Sequence, residues 1–249
     1  MLWSQEVTQG FERSTPSLET IPEQVRVVDT PQGAVLVLNL PAIHSSDSKA
    51  MQAYVTASFD SIAATDGLAR SCALVVNLSG QTGGNAWPPM LVLEPLFTAQ
   101  NTAQFVARED KRFQVAHPAV IQNVKRRVGE VPPNPLERFR GQNYGVVLAR
   151  STASAGEMIA MALQGEPGRS RSFGSQTYGM TTANQTVQMP DNALLLLTTS
   201  RYAFGMQAAI RGKLQPDVPT SAHDAVQQAA EWAAAQSPAC TPVTPKHAL

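Results

Sequence analysis

Three uninterrupted apolar runs constrain this chain more than any other feature: residues 34–40 (AVLVLNL), 73–78 (ALVVNL) and 144–149 (YGVVLA). Each is short, and Gly33 and Pro41 bound the first, which is the pattern of a buried strand. A strand that stays apolar at successive positions has both faces covered, because neighbouring side chains point to opposite sides of a sheet. Between the first two runs, Met51, Tyr54, Val55, Phe59 and Ile62 recur at helical spacing over 47–65, with Asp47 placed to cap the start. Strands alternating with helices predict an α/β sheet with right-handed crossovers.

The rest of the chain extends this pattern. Pro88 and Pro89 open an apolar helix that runs to Phe97. The third apolar run passes through a small-residue turn at 150–154 into a helix over 155–165, ended by Gly165. Short strands are predicted near 170–174, 184–189 and 193–200, the last two joined by a turn at Asp191-Asn192. A last amphipathic helix over 221–236 turns Val226, Ala230 and Trp232 inward. Residues 100–140 show no clear periodicity, and Pro132-Pro133-Asn134-Pro135 reads as a surface excursion. Residues 1–32 read as an irregular lead-in, 33–240 as the folded domain and 241–249 as a loose tail, the loosening beginning at Ser237.

Composition excludes several classes. Of 249 residues 43% are apolar, enough for one large core, and 15% are charged, against roughly 25% in an average globular protein. Nineteen basic residues balance nineteen acidic ones, which argues against a nucleic-acid or anionic-membrane platform. The local excess at Lys125, Arg126, Arg127, Arg138 and Arg140 reads as a solvated loop, with Phe139 as its only aromatic. No run approaches 18 apolar residues, so no transmembrane helix is expected, and the first residues do not read as a signal peptide. Cys72 and Cys240 are able to pair, although Cys72 also reads as a small packed hydrophobe. The cysteines and His44, His117, His223 and His247 lack metal-site spacing, so neither metal nor other cofactor is expected.

Two strand-loop-helix junctions carry the chemistry. The first is Asn77-Leu78-Ser79-Gly80-Gln81-Thr82-Gly83-Gly84-Asn85. Consecutive glycines let backbone approach a ligand, and their N–H groups are able to stabilise an oxyanion. The lysine of a phosphate-binding loop is missing, and a purely structural tight turn stays open as an alternative. The second junction is Arg150-Ser151-Thr152-Ala153-Ser154-Ala155-Gly156-Glu157. A serine at a helix start is an ordinary N-cap, yet the helix dipole and free N–H groups there also favour a developing oxyanion. Small neighbours Ala153, Ala155 and Gly156 leave room for a substrate.

Taken together and in this order, the junctions resemble the tail-specific and C-terminal processing serine peptidases. Val76 to Pro88 is similar to the family's D-L-R-G-N-x-G-G segment in the form where N-x-W-P follows, here Asn85-Ala86-Trp87-Pro88. Val147 to Glu157 is similar to the nucleophile strand and turn, Ser172 to Gly179 to the G-x-x-T-x-G hairpin, and Gly212 to Asp217 (GKLQPD) to the G-x-x-x-P-D ending. Pro41-Ala42-Ile43, the hairpin at 186–199 and the final helix with Trp232 fit as well, so the likeness spans roughly 34–240. It implies a crotonase/ClpP-like α/β core with a mixed sheet and flanking helices, a catalytic domain over 33–240, and hydrolysis of a peptide or protein substrate through an acyl-enzyme. By the same resemblance Ser154 is the nucleophile, Glu157 its supporting acid, and the N–H groups of Gly84 or Gly83 and of Ala155 the oxyanion hole. As a residue alone, Glu157 is equally an acid favoured in a first helical turn.

The pattern departs from the family at the base. Processing members carry a Lys just after the T-x-G hairpin, where this chain has Met180. Members resembling tricorn protease use a His in an upstream His-Ser motif, and the chain as given begins too late for that segment. His44-Ser45 is the only His-Ser pair, which makes His44 a candidate base and equally an exposed loop histidine. Ala209 stands near the place of a tricorn-type Glu, and Asn77-Leu78-Ser79 loses the charged pair of D-L-R. Two expectations follow: a serine peptidase that lost its base by truncation, or a degenerate homologue that binds peptide or another ligand without cleaving it. A crotonase-type acyl-CoA enzyme shares the core but is disfavoured by the Ser154 turn. Lack of a PDZ-like insert before Gly83-Gly84 points to the compact branch of the family, and family habit to an extracytoplasmic location. Nothing in the sequence indicates an oligomeric state.

Overall fold

The computed structural model describes residues 24–240. In chain order these form β1 (Val25–Thr30), β2 (Gly33–Asn39), α1 (Ser48–Ala63), β3 (Ser71–Asn77), α2 (Trp87–Val92), β4 (Ala103–Ala107), β5 (Arg112–Gln114) and α3 (Pro118–Val128). Then follow β6 (Tyr144–Leu148), α4 (Ala155–Gln164), β7 (Ser170–Gly174), β8 (Thr182–Gln188), β9 (Leu194–Phe204), β10 (Val218–Pro219) and α5 (Ala225–Gln236). A six-stranded sheet has the order β1-β2-β3-β6-β7-β10, and a four-stranded antiparallel sheet the order β5-β4-β9-β8. In the larger sheet β1 runs antiparallel to β2 and all other neighbours are parallel.

The apolar runs lie at the centre of this mixed sheet, and both of their faces are covered. Leu36, Leu38, Leu74, Val76, Val146 and Leu148 pack on one side with residues of α1 to α4. Val35, Val37, Ala73, Val75 and Val147 pack on the other with Ala225, Ala229, Ala230, Ala233 and Ala234 of α5. The two-residue period of a strand distributes one apolar run between two cores. Asp47 caps α1 as expected, its side chain accepting from Lys49 and Ala50 N–H.

Several segments depart from the sequence reading. Residues 25–30, placed in the lead-in, form an edge strand in register with β2, because pairing supplies the order that their weak hydrophobic pattern does not announce. The stretch 100–140 folds into β4, β5 and α3, and β4 pairs with β9, a contact that no local periodicity encodes. Lys125, Arg126 and Arg127 sit in the last turn of α3 rather than in a loop, exposed while Ile121, Val124 and Val128 face the core, and the helix dipole favours cations there. Ser237 is buried and donates to the Cys72 carbonyl oxygen at 2.6 Å, and Cys240 forms a disulfide with Cys72. The chain is therefore tethered beyond α5 up to Cys240 instead of loose from Ser237. In α5 the buried residues are alanines, whereas Val226 and Trp232 are partly buried. The β8–β9 hairpin carries four consecutive exposed leucines, Leu194 to Leu197, at 46–65% of full exposure.

Candidate active site

Both glycine- and serine-bearing junctions lie beyond the carboxyl ends of β2, β3 and β6, where open α/β sheets gather ligands. The strand ends are tied together first: Asn77 Nδ2 donates to Asn39 Oδ1 at 2.8 Å. Gln81, buried in the glycine loop, donates through Nε2 to the Leu40 and Pro41 carbonyl oxygens at 3.1 and 3.2 Å. Its Oε1 accepts the Gly83 N–H at 3.3 Å. The turn after β6 is joined to this loop: Thr152 Oγ1 donates to Leu78 O at 2.8 Å, and Ala153 N–H donates to Gln81 O at 3.1 Å. A Cβ on Gly156 would overlap that Gln81 oxygen, so only glycine lets α4 approach the loop this closely.

Ser154 stands between β6 and α4 with φ 51° and ψ −110°. Such a backbone costs a non-glycine residue about 1–3 kcal/mol and persists only where its surroundings over-determine it. It is also the form of a nucleophile turned out from a sharp strand-to-helix bend. Glu157, whose burial is complete, holds the bend. Its Oε2 accepts the Ser154 N–H at 3.1 Å, and its Oε1 accepts the Gly179 N–H at 2.8 Å and the Thr177 hydroxyl. Thr177 also hydrogen-bonds Leu214 through backbone and side chain, and Tyr178 N–H reaches Thr152 O at 2.9 Å. The 177–179 segment and the 212–217 ending are thus the outer support of the serine turn.

Across from Ser154 lies the glycine pair. A Cβ built on Gly83 would sit 3.5 Å from Ser154 Cβ and 3.9 Å from its Oγ. Gly83 N–H is taken by Gln81, whereas Gly84 N–H has no acceptor among the described residues. Ala155 opens α4, so its N–H has no partner within the helix. Gly84 has φ 93° and pairs with Ile43 as an isolated parallel bridge; a Cβ there would overlap the Ile43 carbonyl oxygen and lie 3.2 Å from His44 Nδ1.

His44 is exposed and adjoins this loop. Its segment is held from both sides by Asn85, whose N–H donates to Ile43 O at 2.5 Å and whose Nδ2 donates to Ser45 O at 2.9 Å. Met180, half exposed, follows Gly179 on the support segment and offers no proton acceptor.

The predicted site residues Gly83, Gly84, Ser154, Ala155 and Glu157 therefore come together, with His44 against Gly84. Sequence reading missed two further participants. Asn85 was visible only as the end of the glycine junction and a letter of the N-x-W-P motif, with no role. Tyr202 had no signal, because β9 was expected to end near 200 and in fact runs to Phe204. Tyr202 is buried, stacks on Phe105 with ring centroids 5.5 Å apart, and donates its hydroxyl to Ser154 O at 3.2 Å. Burial pushes its phenol above the ordinary tyrosine pKa, and the nearby Glu157 charge adds to that shift, so the hydroxyl remains a donor.

A strained serine between a glycine loop and a helix N-terminus, on a mixed α/β sheet, is an arrangement of the kind that serine hydrolases use. The profile of peptidase family S41 matches residues 35–220, and the chain belongs to that family. The nisin-resistance protein of Lactococcus lactis subsp. lactis is 25% identical over 208 residues, which cover 82% of this chain and 62% of that relative. This chain thus spans less than two thirds of the length of that protein. Among solved structures, a lipoprotein from Streptococcus agalactiae is similar with a TM-score of 0.63 at 21% identity, over 85% of this chain and 69% of its own. A Bacteroides fragilis protein assigned to the S41 proteases gives a TM-score of 0.54 at 17% identity, over 82% and 51%. These two likenesses concern the fold. Among the described residues no helix is long and apolar enough to cross a membrane.

Proposed function

We propose that this chain is a serine peptidase that cleaves a peptide or protein substrate through an acyl-enzyme on Ser154, with His44 as the base. The observation that carries the reading is the strained Ser154 turn facing Gly83-Gly84, with His44 Nδ1 beside Gly84. Ser154 Oγ attacks the scissile carbonyl carbon as its proton passes to His44. The carbonyl oxygen becomes an oxyanion held by the Gly84 and Ala155 N–H groups. Collapse breaks the C–N bond, and the leaving amine takes the proton from His44. Water then attacks the acyl carbon, gives a proton to His44, and the acid leaves with Ser154 Oγ reprotonated. Met180 is unable to serve in place of a lysine, and Gly83 is less suited than Gly84 to the oxyanion hole because Gln81 occupies its N–H.

An extracytoplasmic location is part of the reading. The Cys72–Cys240 disulfide is of a kind that persists in oxidising compartments. A relative named for nisin resistance and a neighbour described as a lipoprotein support the same placement.

A fluorophosphonate probe tests the reading. Labelling is expected on Ser154, absent in Ser154→Ala and strongly slowed in His44→Gln. Folded wild-type protein that takes no label would refute it and leave a ligand-binding role on the same fold.

A further inference from the structure

We infer that Tyr202 is a positioning residue for the oxyanion hole: its hydroxyl, donated to the Ser154 carbonyl oxygen at 3.2 Å, sets the direction in which the Ala155 N–H points. The inference rests on the reading of Ser154 as nucleophile and Ala155 as oxyanion donor. The Ser154 carbonyl and the Ala155 N–H belong to one planar trans peptide unit, so they point in opposite directions and turn together. Whatever fixes that oxygen fixes the donor.

The peptide needs fixing on both sides. Ser154 has a backbone that its own side chain does not favour, with φ 51° and ψ −110°. On the preceding side, Glu157 Oε2 holds the Ser154 N–H at 3.1 Å. On the following side, Ser154 O accepts the Met158 N–H at 3.0 Å, a bond that any helix start would make. The second lone pair of that oxygen takes the Tyr202 hydroxyl. Tyr202 arrives from β9 of the smaller sheet, 48 residues along the chain, and its ring is immobilised against Phe105 at 5.5 Å between centroids. The donor is therefore rigid, and the smaller sheet contributes a polar contact to the turn on the larger one. Burial obliges the hydroxyl to find an acceptor, and the one it takes is this oxygen.

An oxyanion donor acts on the transition state more than on the bound ground state. Removing the hydroxyl should thus slow acylation without weakening initial binding. The test uses Tyr202→Phe in the full chain, with an aryl fluorophosphonate as probe over a concentration series. The expected result is a limiting labelling rate lowered about threefold to tenfold, the effect of one lost hydrogen bond, with the half-saturating probe concentration unchanged. Phe139→Leu, at a buried core aromatic outside the serine turn and its supports, serves as the packing control, expected to lower the melting temperature while leaving the limiting rate near wild type.

A second readout does not depend on labelling. Carbonyl-13C serine combined with 15N alanine marks only Ser154-Ala155 and Ser221-Ala222 in this sequence. Tyr202→Phe should move the Ser154 carbonyl and Ala155 amide resonances and leave the Ser221-Ala222 pair in place. Wild-type labelling kinetics in Tyr202→Phe, or a rise in half-saturation with an unchanged limiting rate, would overturn the inference. Wild-type protein that takes no label refutes the nucleophile reading instead; the resonances then decide whether Tyr202 holds this peptide, and unmoved signals sink that too. A Tyr202→Phe protein that fails to fold also counts against it, because loss of one hydroxyl with the ring retained is then acting on global stability.

Discussion

Replacing Glu157 by glutamine separates two accounts of that residue. If it only favours the first turn of α4, its charge contributes about 0.3–1 kcal/mol through the helix dipole. The structure gives it a larger task. One carboxylate oxygen accepts Ser154 N–H at 3.1 Å, and the other accepts Gly179 N–H at 2.8 Å and the Thr177 hydroxyl. A glutamine of the same shape has one acceptor oxygen and one NH2 group. Its better orientation keeps Thr177 and Gly179 and turns NH2 against the Ser154 N–H, donor to donor. Losing one hydrogen bond to a charged acceptor costs about 1.5–3 kcal/mol, and leaving a buried donor unsatisfied adds about 1–3 kcal/mol. The expected loss is about 3–5 kcal/mol, or roughly 6–20 °C in melting temperature for a chain of this size. Urea and thermal unfolding followed by circular dichroism measure it, with fluorophosphonate labelling of Ser154 beside it. Labelling should fall further than the folded fraction does, since the serine turn loosens first. A loss below about 1 kcal/mol with normal labelling would return Glu157 to the role of a plain helix-start acid.

Three further outcomes are expected. Burial raises the pKa of Tyr54, Tyr144 and Tyr202 above the ordinary value of 10.0. Their contribution is fully present below pH 10 and declines above it, where the unfolded chain ionises and the folded chain does not, at up to about 1.4 kcal/mol per pH unit for each group; urea midpoints between pH 8 and 11 check this, and a flat profile would contradict it. Reducing the Cys72–Cys240 disulfide, which spans 168 residues, should cost about 2–5 kcal/mol, read as a shift in urea midpoint with and without reductant. Asn85→Ala removes the Nδ2 donation to Ser45 O and the Oδ1 acceptor of the Trp87 N–H; it should slow labelling of Ser154 and lower the melting temperature by about 2–12 °C, and labelling at the wild-type rate would count against a role for the His44 segment.

Part of the site is legible in the chain because it is local. Ser154, Ala155, Gly156 and Glu157 occupy one helix start, and Gly83 and Gly84 one loop, so apolar runs ending in small residues mark both. His44 is legible only as a candidate: nothing near it in sequence says that Gly84 would bridge to Ile43, and that bridge is what carries it to the glycine loop. Tyr202 and β4 are illegible for the same reason, since their partners lie far away in sequence and neither has a telling periodicity. The exposed leucines of β9 mislead in the opposite direction. Leu194 to Leu197 are as apolar as the buried runs, yet in the hairpin all four are exposed.

By itself the sequence determined the alternation of buried strands and helices, the two strand-loop-helix junctions and the kinship with S41 peptidases, because each depends on patterns within a few neighbouring residues. Tertiary structure alone decided which groups meet at Ser154: Glu157 bonded to Thr177 and Gly179, His44 against Gly84, Gln81 withdrawing the Gly83 N–H, and Tyr202 on the Ser154 carbonyl. Those contacts join segments brought together by strand pairing and core burial, and hydrogen-bond geometry at a few ångströms is set by that packing rather than by any local preference.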